Sequence, residues 1–186
     1  MDSRNSILMN IRLTFMLATI ATAPLLLFMF GIKVFVVYAL IWIDKILIGV
    51  IRPARFVGIE TTTTASIIMA IFYGPAVSFF SVLFLFTFLQ SIRYFIFPLR
   101  PPDYPLFVPN KDSIIYAAGA ALAGILNLYD FATIMIIVLV FKSFIYGITD
   151  FLVQKKPDFF ITFGGTVIIH VIFFLPIGVQ IMNHLK

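Results

Sequence analysis

The sequence predicts an all-α integral membrane protein, a bundle of six to seven transmembrane helices. Three observations lead there. Of its 186 residues, 62% are hydrophobic and only 11% charged, and the mean hydropathy is +1.11. Soluble domains carry about 25% charged residues. The apolar residues gather in runs close to the ~20 that one crossing needs, each bounded by glycine, proline or charge. Finally, the basic residues fall asymmetrically between the two sets of alternate loops. No polar stretch is long enough for a soluble domain, so residues 1–186 are expected to form a single polytopic membrane domain.

Taken in order, the candidate spans are 13–32, 33–51, 58–73, 76–97, 113–129, 131–152 and 159–182. Arg4 and Arg12 ahead of the first run, with Ala21-Thr22-Ala23 inside it, imitate a signal peptide. Pro24 follows directly and the apolar run continues to Phe30, so a retained span is expected. Gly31 and Lys33 divide the first pair, and Arg52, Pro53 and Arg55 close the second span. Gly74-Pro75 separates the third from the fourth and lets the chain turn back at once, because proline lacks an amide donor and disfavours helix in the residue before it. The prolines of Phe97 to Ser113 exclude a continuous helix. Asp130 marks a tight turn, and Gln154 to Asp158 the last loop. The runs 58–73 and 113–129 are short, which leaves six full spans open.

With a cytoplasmic N-terminus, Arg4, Arg12, Arg52, Arg55, Arg93, Arg100, Lys111, Lys155 and Lys156 lie inside. Lys33 and Lys186 lie outside, and Lys45 and Lys142 are embedded. That bias follows the positive-inside rule and predicts a multi-pass protein of the cell membrane. It also accounts for the net charge of +5 without a nucleic-acid partner. Cysteine is absent, which removes disulfides, thiolate metal sites and thiol catalysis. Neither histidine has a metal-ligand partner at helical spacing, and G-x-S-x-G, H-E-x-x-H and P-loop motifs are missing. No enzyme, metal or cofactor is therefore expected.

Ionisable groups inside spans cost at least about 2.5–3.5 kcal/mol each and are functional candidates by default. Lys142, His170, the Asp44-Lys45 pair and Glu60 qualify. For Asp44 and Lys45 the plain reading is an ion pair, and for His170 a neutral imidazole bonded to a carbonyl. Lys142 is harder to explain so, since Ser143 and Tyr146 make one face of its helix polar. Thr61 to Thr64 cover every face of one helical turn just after Glu60. They either bond back to carbonyls of their own helix or form one wall of a polar cavity. On the second reading Glu60, Thr61, Thr62 and Thr64, with Lys142 and His170, are the candidate ligand-binding residues.

A run of small residues, Tyr116 to Gly124, sets Ala117, Gly119, Ala121 and Ala123 on faces that another helix could approach closely. Internal packing is one use of such a face, and docking of a membrane-protein partner is the other. A polar-headed helix followed by Phe72-Tyr73-Gly74-Pro75 and a second helix resembles the substrate-binding S components of energy-coupling-factor vitamin transporters. The resemblance covers Gly58 to Phe97, where that family carries a G-P-x-x-G turn; here Ser78 replaces the second glycine. It implies six membrane helices, capture of a vitamin or metal ion, and docking on a T component through small residues. The expected function is a small transport component that binds a solute and works with an energising partner. A structural or assembly subunit, similar to the shape-determining membrane proteins, is the alternative. Convergence of Glu60, Thr62, Lys142 and His170 on a cavity would favour the first, and their pairing to one another the second.

Overall fold

The computed structural model describes residues 3–51, 59–97, 105–149 and 159–185, with side chains described from residue 9 and, in the last stretch, from residue 164. Every element in the described residues is helical: α1 (Ser3–Trp42), α2 (Thr62–Ile96), α3 (Lys111–Ile125), α4 (Phe131–Tyr146), α5 (Phe159–Ile169) and α6 (Leu175–Leu185). Short π and 3-10 turns extend α1 to Val50, and a π-helical turn, His170–Phe174, joins α5 to α6. The all-helical fold class expected from composition is found.

Four stretches in the described residues are long and apolar enough to cross a membrane: Met9–Val50, Thr62–Ile96, Phe131–Thr149 and Gly164–Leu185. The six to seven transmembrane helices expected from the sequence are thus corrected to four by length and composition. The difference has a physical cause: two of the four are not straight. Gly31 (φ 81°, ψ 178°) and Gly74 (φ 78°, ψ 175°) interrupt α1 and α2 in a backbone region essentially reserved for glycine. Contacts across each glycine show the chain reversing. The Tyr38 hydroxyl donates to the Thr19 carbonyl at 2.8 Å, and Trp42 Nε1 to Thr19 Oγ1 at 3.1 Å. In a straight helix Thr19 and Tyr38 would stand about 28 Å apart. Likewise Thr62 donates to Asp44, while the Lys45 ammonium lies 3.9 Å from the Phe86 ring centroid. A straight α2 would hold Thr62 and Phe86 about 36 Å apart. The hairpin expected at Gly74-Pro75 is therefore present. Its first leg spans only about 18 Å, and α3 only about 22 Å, less than the roughly 30 Å hydrocarbon core.

The two reversals share one end of the molecule. Lys33 Nζ sits 3.9 Å from the Phe72 ring centroid, and Gly124 lies on the backbone of Pro75. That end also holds the α3–α4 turn, where Asp130 caps α4 by accepting from the Thr133 amide at 3.0 Å. At the opposite end Asn110 and Ser113 form a reciprocal capping box that starts α3. Arg52, Arg55, Arg100, Asp103, Lys155, Lys156 and Lys186, together with Gly58 and the loop Gln154 to Asp158, lie outside the described residues, and so does most of the proline-rich segment.

The core is assembled from the inward sides of all these legs: Val37 and Ile41, Ala65 to Ala70, Leu89, Ala123, Phe131 to Leu139, and Met182 with Leu185. Outward positions are as apolar as inward ones. Phe28 is 91% exposed, and Leu13, Phe84, Phe144 and Phe173 also face out. An aqueous protein does not carry so much contiguous exposed apolar surface, and a bilayer is its natural solvent.

Candidate functional site

The intramembrane charges converge. Glu60, Lys142 and His170 are 7%, 5% and 0% exposed, and Asp44 and Lys45 are 4% and 9% exposed. Lys142 Nζ donates to Glu60 Oε1 at 2.6 Å and also to the Thr63 hydroxyl. Thr63 in turn donates to the same Glu60 oxygen. His170 Nε2 stands 3.4 Å from Glu60 Oε1. Beside this trio, Asp44 and Lys45 pair at 2.7 Å, and Thr62 donates to Asp44. The Tyr116 ring lies between the two ion pairs, its centroid 3.7 Å from Lys142 Nζ and 4.9 Å from Lys45 Nζ. Cation–π contacts of this kind are worth about 2 kcal/mol or more when desolvated.

Local sequence explains how the side chains arrive. Glu60 precedes α2, so its backbone is free of helical register and its side chain can fold over the first turn to reach Thr63. On its way to Glu60 the Lys142 stem packs against Gly119. A Cβ there would lie 3.6 Å from the Lys142 Cγ and 3.3 Å from Val138. The small-residue stripe of α3 thus serves this site from inside the chain: Ala117, Gly119 and Ala123 are buried, and Ala121 is half-buried. His170 opens the π-helical turn His170–Phe174, which ends just before Pro176. Proline has no amide hydrogen to offer the carbonyl four residues back, and the widened turn absorbs that mismatch. Asp44 and Lys45 sit on the other π-helical turn of the cluster, Ile43–Leu47. Single π turns inside helices occur frequently at functional sites.

The threonine cluster divides its work. Thr61 donates to the Leu40 carbonyl of α1, Thr62 to Asp44, and Thr63 to Glu60. Ser66 alone takes the local option and bonds the Thr62 carbonyl at 2.7 Å. Of the sequence candidates, Glu60, Lys142 and His170 meet in one place. Thr62 belongs to the neighbouring Asp44 pair, and Thr61 ties α2 to α1. Thr64 Oγ1 is buried without a partner, and its methyl group faces Gly178. Sequence reasoning left out Thr63, although it stands three residues after Glu60, the spacing of adjacent turns. Nothing in the sequence singled out Tyr116.

Three polar atoms in and beside the cluster are buried without a hydrogen-bond partner among the described residues: Glu60 Oε2, His170 Nε2 and Thr64 Oγ1. Elsewhere, a groove of about 310 Å³ lined by Phe84, Leu85, Thr87, Phe88, Phe107 and Pro109 is apolar and carries none of these groups. No group of three or more metal-ligating side chains forms among the described residues. Comparison with protein-family models, with curated proteins and with solved structures finds no match for the chain.

Proposed function

We propose that this chain is a small membrane transport component, which binds a small vitamin-like or ionic solute at the Glu60–Lys142–His170 cluster and works with an energising membrane partner. The observation that carries the reading is the unmet hydrogen-bonding capacity of Glu60 Oε2, His170 Nε2 and Thr64 Oγ1 in a buried, otherwise paired cluster. A buried polar atom without a partner costs about 1–3 kcal/mol, and a bound polar solute would recover that cost. The resemblance of Gly58 to Phe97 to the S components of energy-coupling-factor transporters agrees with it, and a T-component-like protein is then the partner. Native mass spectrometry of the protein extracted from its own membranes tests the proposal. A bound small-molecule mass that Glu60→Gln abolishes is expected; a parent free of any such mass would overturn it.

A second reading rests on the pairing itself. Lys142, Glu60 and Thr63 bond to one another, as do Asp44, Lys45 and Thr62. A structural or assembly subunit needs nothing more, and it would show no bound solute.

For topology we propose a multi-pass protein of the cell membrane with the N-terminus in the cytoplasm. The basic asymmetry and the common end shared by the Gly31, Gly74 and Asp130 turns support it. Single cysteines at Asp130 and Val108, introduced into this cysteine-free chain, should differ toward an impermeant thiol reagent in intact cells. Labelling at 130 and not at 108 is expected, and the reverse pattern would invert the protein.

A further inference from the structure

We propose that the contact between His170 Nε2 and Glu60 Oε1 is a proton-binding site, which takes up and releases one proton from the aqueous phase. The inference goes beyond the solute reading and does not depend on it. It begins with the other ring nitrogen. His170 Nδ1 lies 2.7 Å from the Thr166 carbonyl oxygen. A carbonyl can only accept, so Nδ1 carries the hydrogen. In the neutral ring Nε2 is then a bare lone pair, and it has no hydrogen-bond partner. The atom it faces at 3.4 Å is Glu60 Oε1, which is also an acceptor. Two lone pairs thus point at each other in a buried site. Too little space separates them for a water molecule to bridge. A proton is the ligand that fits, and one is enough: it converts the contact into Nε2–H donating to the carboxylate.

The surrounding charges define two states. Glu60 faces His170 from the segment ahead of α2, and Lys142 of α4 shares the same carboxylate oxygen. Tyr116 of α3 lies under Lys142, and the Asp44–Lys45 pair of α1 is internally neutral. On His170's own side, the Phe174 ring lies 5.1 Å from the imidazole, centroid to centroid. Without the added proton the cluster is neutral, with Glu60 serving Lys142. With it, two cations share Glu60, whose second oxygen has no other partner and can take one of them. Loss of the proton leaves the two lone pairs opposed, and their repulsion favours separation of the ring and the carboxylate. The π-helical turn that carries His170 is the element which that separation would move.

The chain has two histidines, and the other, His184, is exposed on α6 and bonds the Gln180 carbonyl. Protein labelled with 15N-histidine and reconstituted in lipid therefore gives two ring systems, with His184 as the internal reference. The expected result is a His170 Nε2 signal that passes from bare to protonated as the pH is lowered across the range in which imidazoles titrate, while Nδ1 stays protonated. Glu60→Gln should weaken proton binding at His170 at least about tenfold, a shift of about one pH unit, and leave His184 unmoved. A His170 Nε2 that stays bare across that range overturns the proposal, as does an unchanged midpoint in Glu60→Gln. If Glu60→Gln does not fold, Glu60→Asp and the parent titration decide the matter, since the parent signal alone must show the added proton.

Discussion

Gly124 rests directly on Pro75: a Cβ at Gly124 would lie 2.6 Å from both the Pro75 Cα and its nitrogen. The close approach welds α3 onto the reversal of α2. In lipid, where apolar surface gains nothing by leaving its solvent, such backbone proximity is the main source of helix association. The same glycine therefore secures the platform under Tyr116 and Gly119, on which Lys142 lies.

From this contact we expect Gly124→Ala to destabilise the folded protein by about 1–3 kcal/mol, the usual cost of overpacking. The clashing atoms are backbone, so no side chain can swing away. Thermal melting in detergent measures the loss. Ala121→Ser, at a half-buried position of the same helix, should melt close to the parent. Equal melting of Gly124→Ala and parent would show that α3 does not rest on the turn.

How much of this was legible in the sequence depends on the distance over which each feature acts. The helical membrane class follows from composition alone. The reversals at Gly31 and Gly74 were legible because glycine, joined at Gly74 by the proline that follows, acts on the local backbone. What failed was the step from reversals to full spans. The leg from Thr62 to Tyr73 is helical and apolar, yet too short to cross, and length on the page did not reveal where its helix begins. At the site, Glu60, Lys142 and His170 stood out because charge in an apolar run is costly wherever it lies. Their meeting was not legible, since it joins segments far apart in the chain: Glu60 and Lys142 are 82 residues apart. Tyr116 carries no such cost and gave no signal.

Asp130 offers a separable test outside the membrane-spanning segments. The Thr133 side chain, and then its amide, hold the Asp130 carboxyl below its ordinary value. A depressed folded value means that the charged cap stabilises the protein above the unfolded carboxylate value of about 3.9. That contribution is lost as pH falls through the lower folded value. Asp130→Ala should therefore lower the melting temperature at neutral pH, and Asp130→Asn, which still caps, should lower it less. The difference between Asp130→Ala and parent should shrink below about pH 4. A constant difference at all pH values would mean that the carboxylate charge contributes nothing.

Lys142 decides between the two functional readings. Its ammonium is buried, bonds Glu60 and Thr63, and lies over Tyr116. Lys142→Met keeps much of the volume of the side chain and its passage across Gly119, while removing the charge. If the cluster is only structural, the change strands Glu60 beside the Asp44–Lys45 ion pair, which is internally neutral and has no net charge to offer. Breaking a buried pair in that way costs about 3–5 kcal/mol, and melting in detergent should fall sharply. The double variant Lys142→Met/Glu60→Gln should recover most of that loss, because no buried charge is then left alone. If the cluster binds a solute, Glu60 gains a partner whenever the site is occupied. Addition of the solute found by mass spectrometry should then raise the melting temperature of the parent, and Lys142→Met should lose that rise. A single variant that melts like the parent and retains the rise would remove Lys142 from both readings.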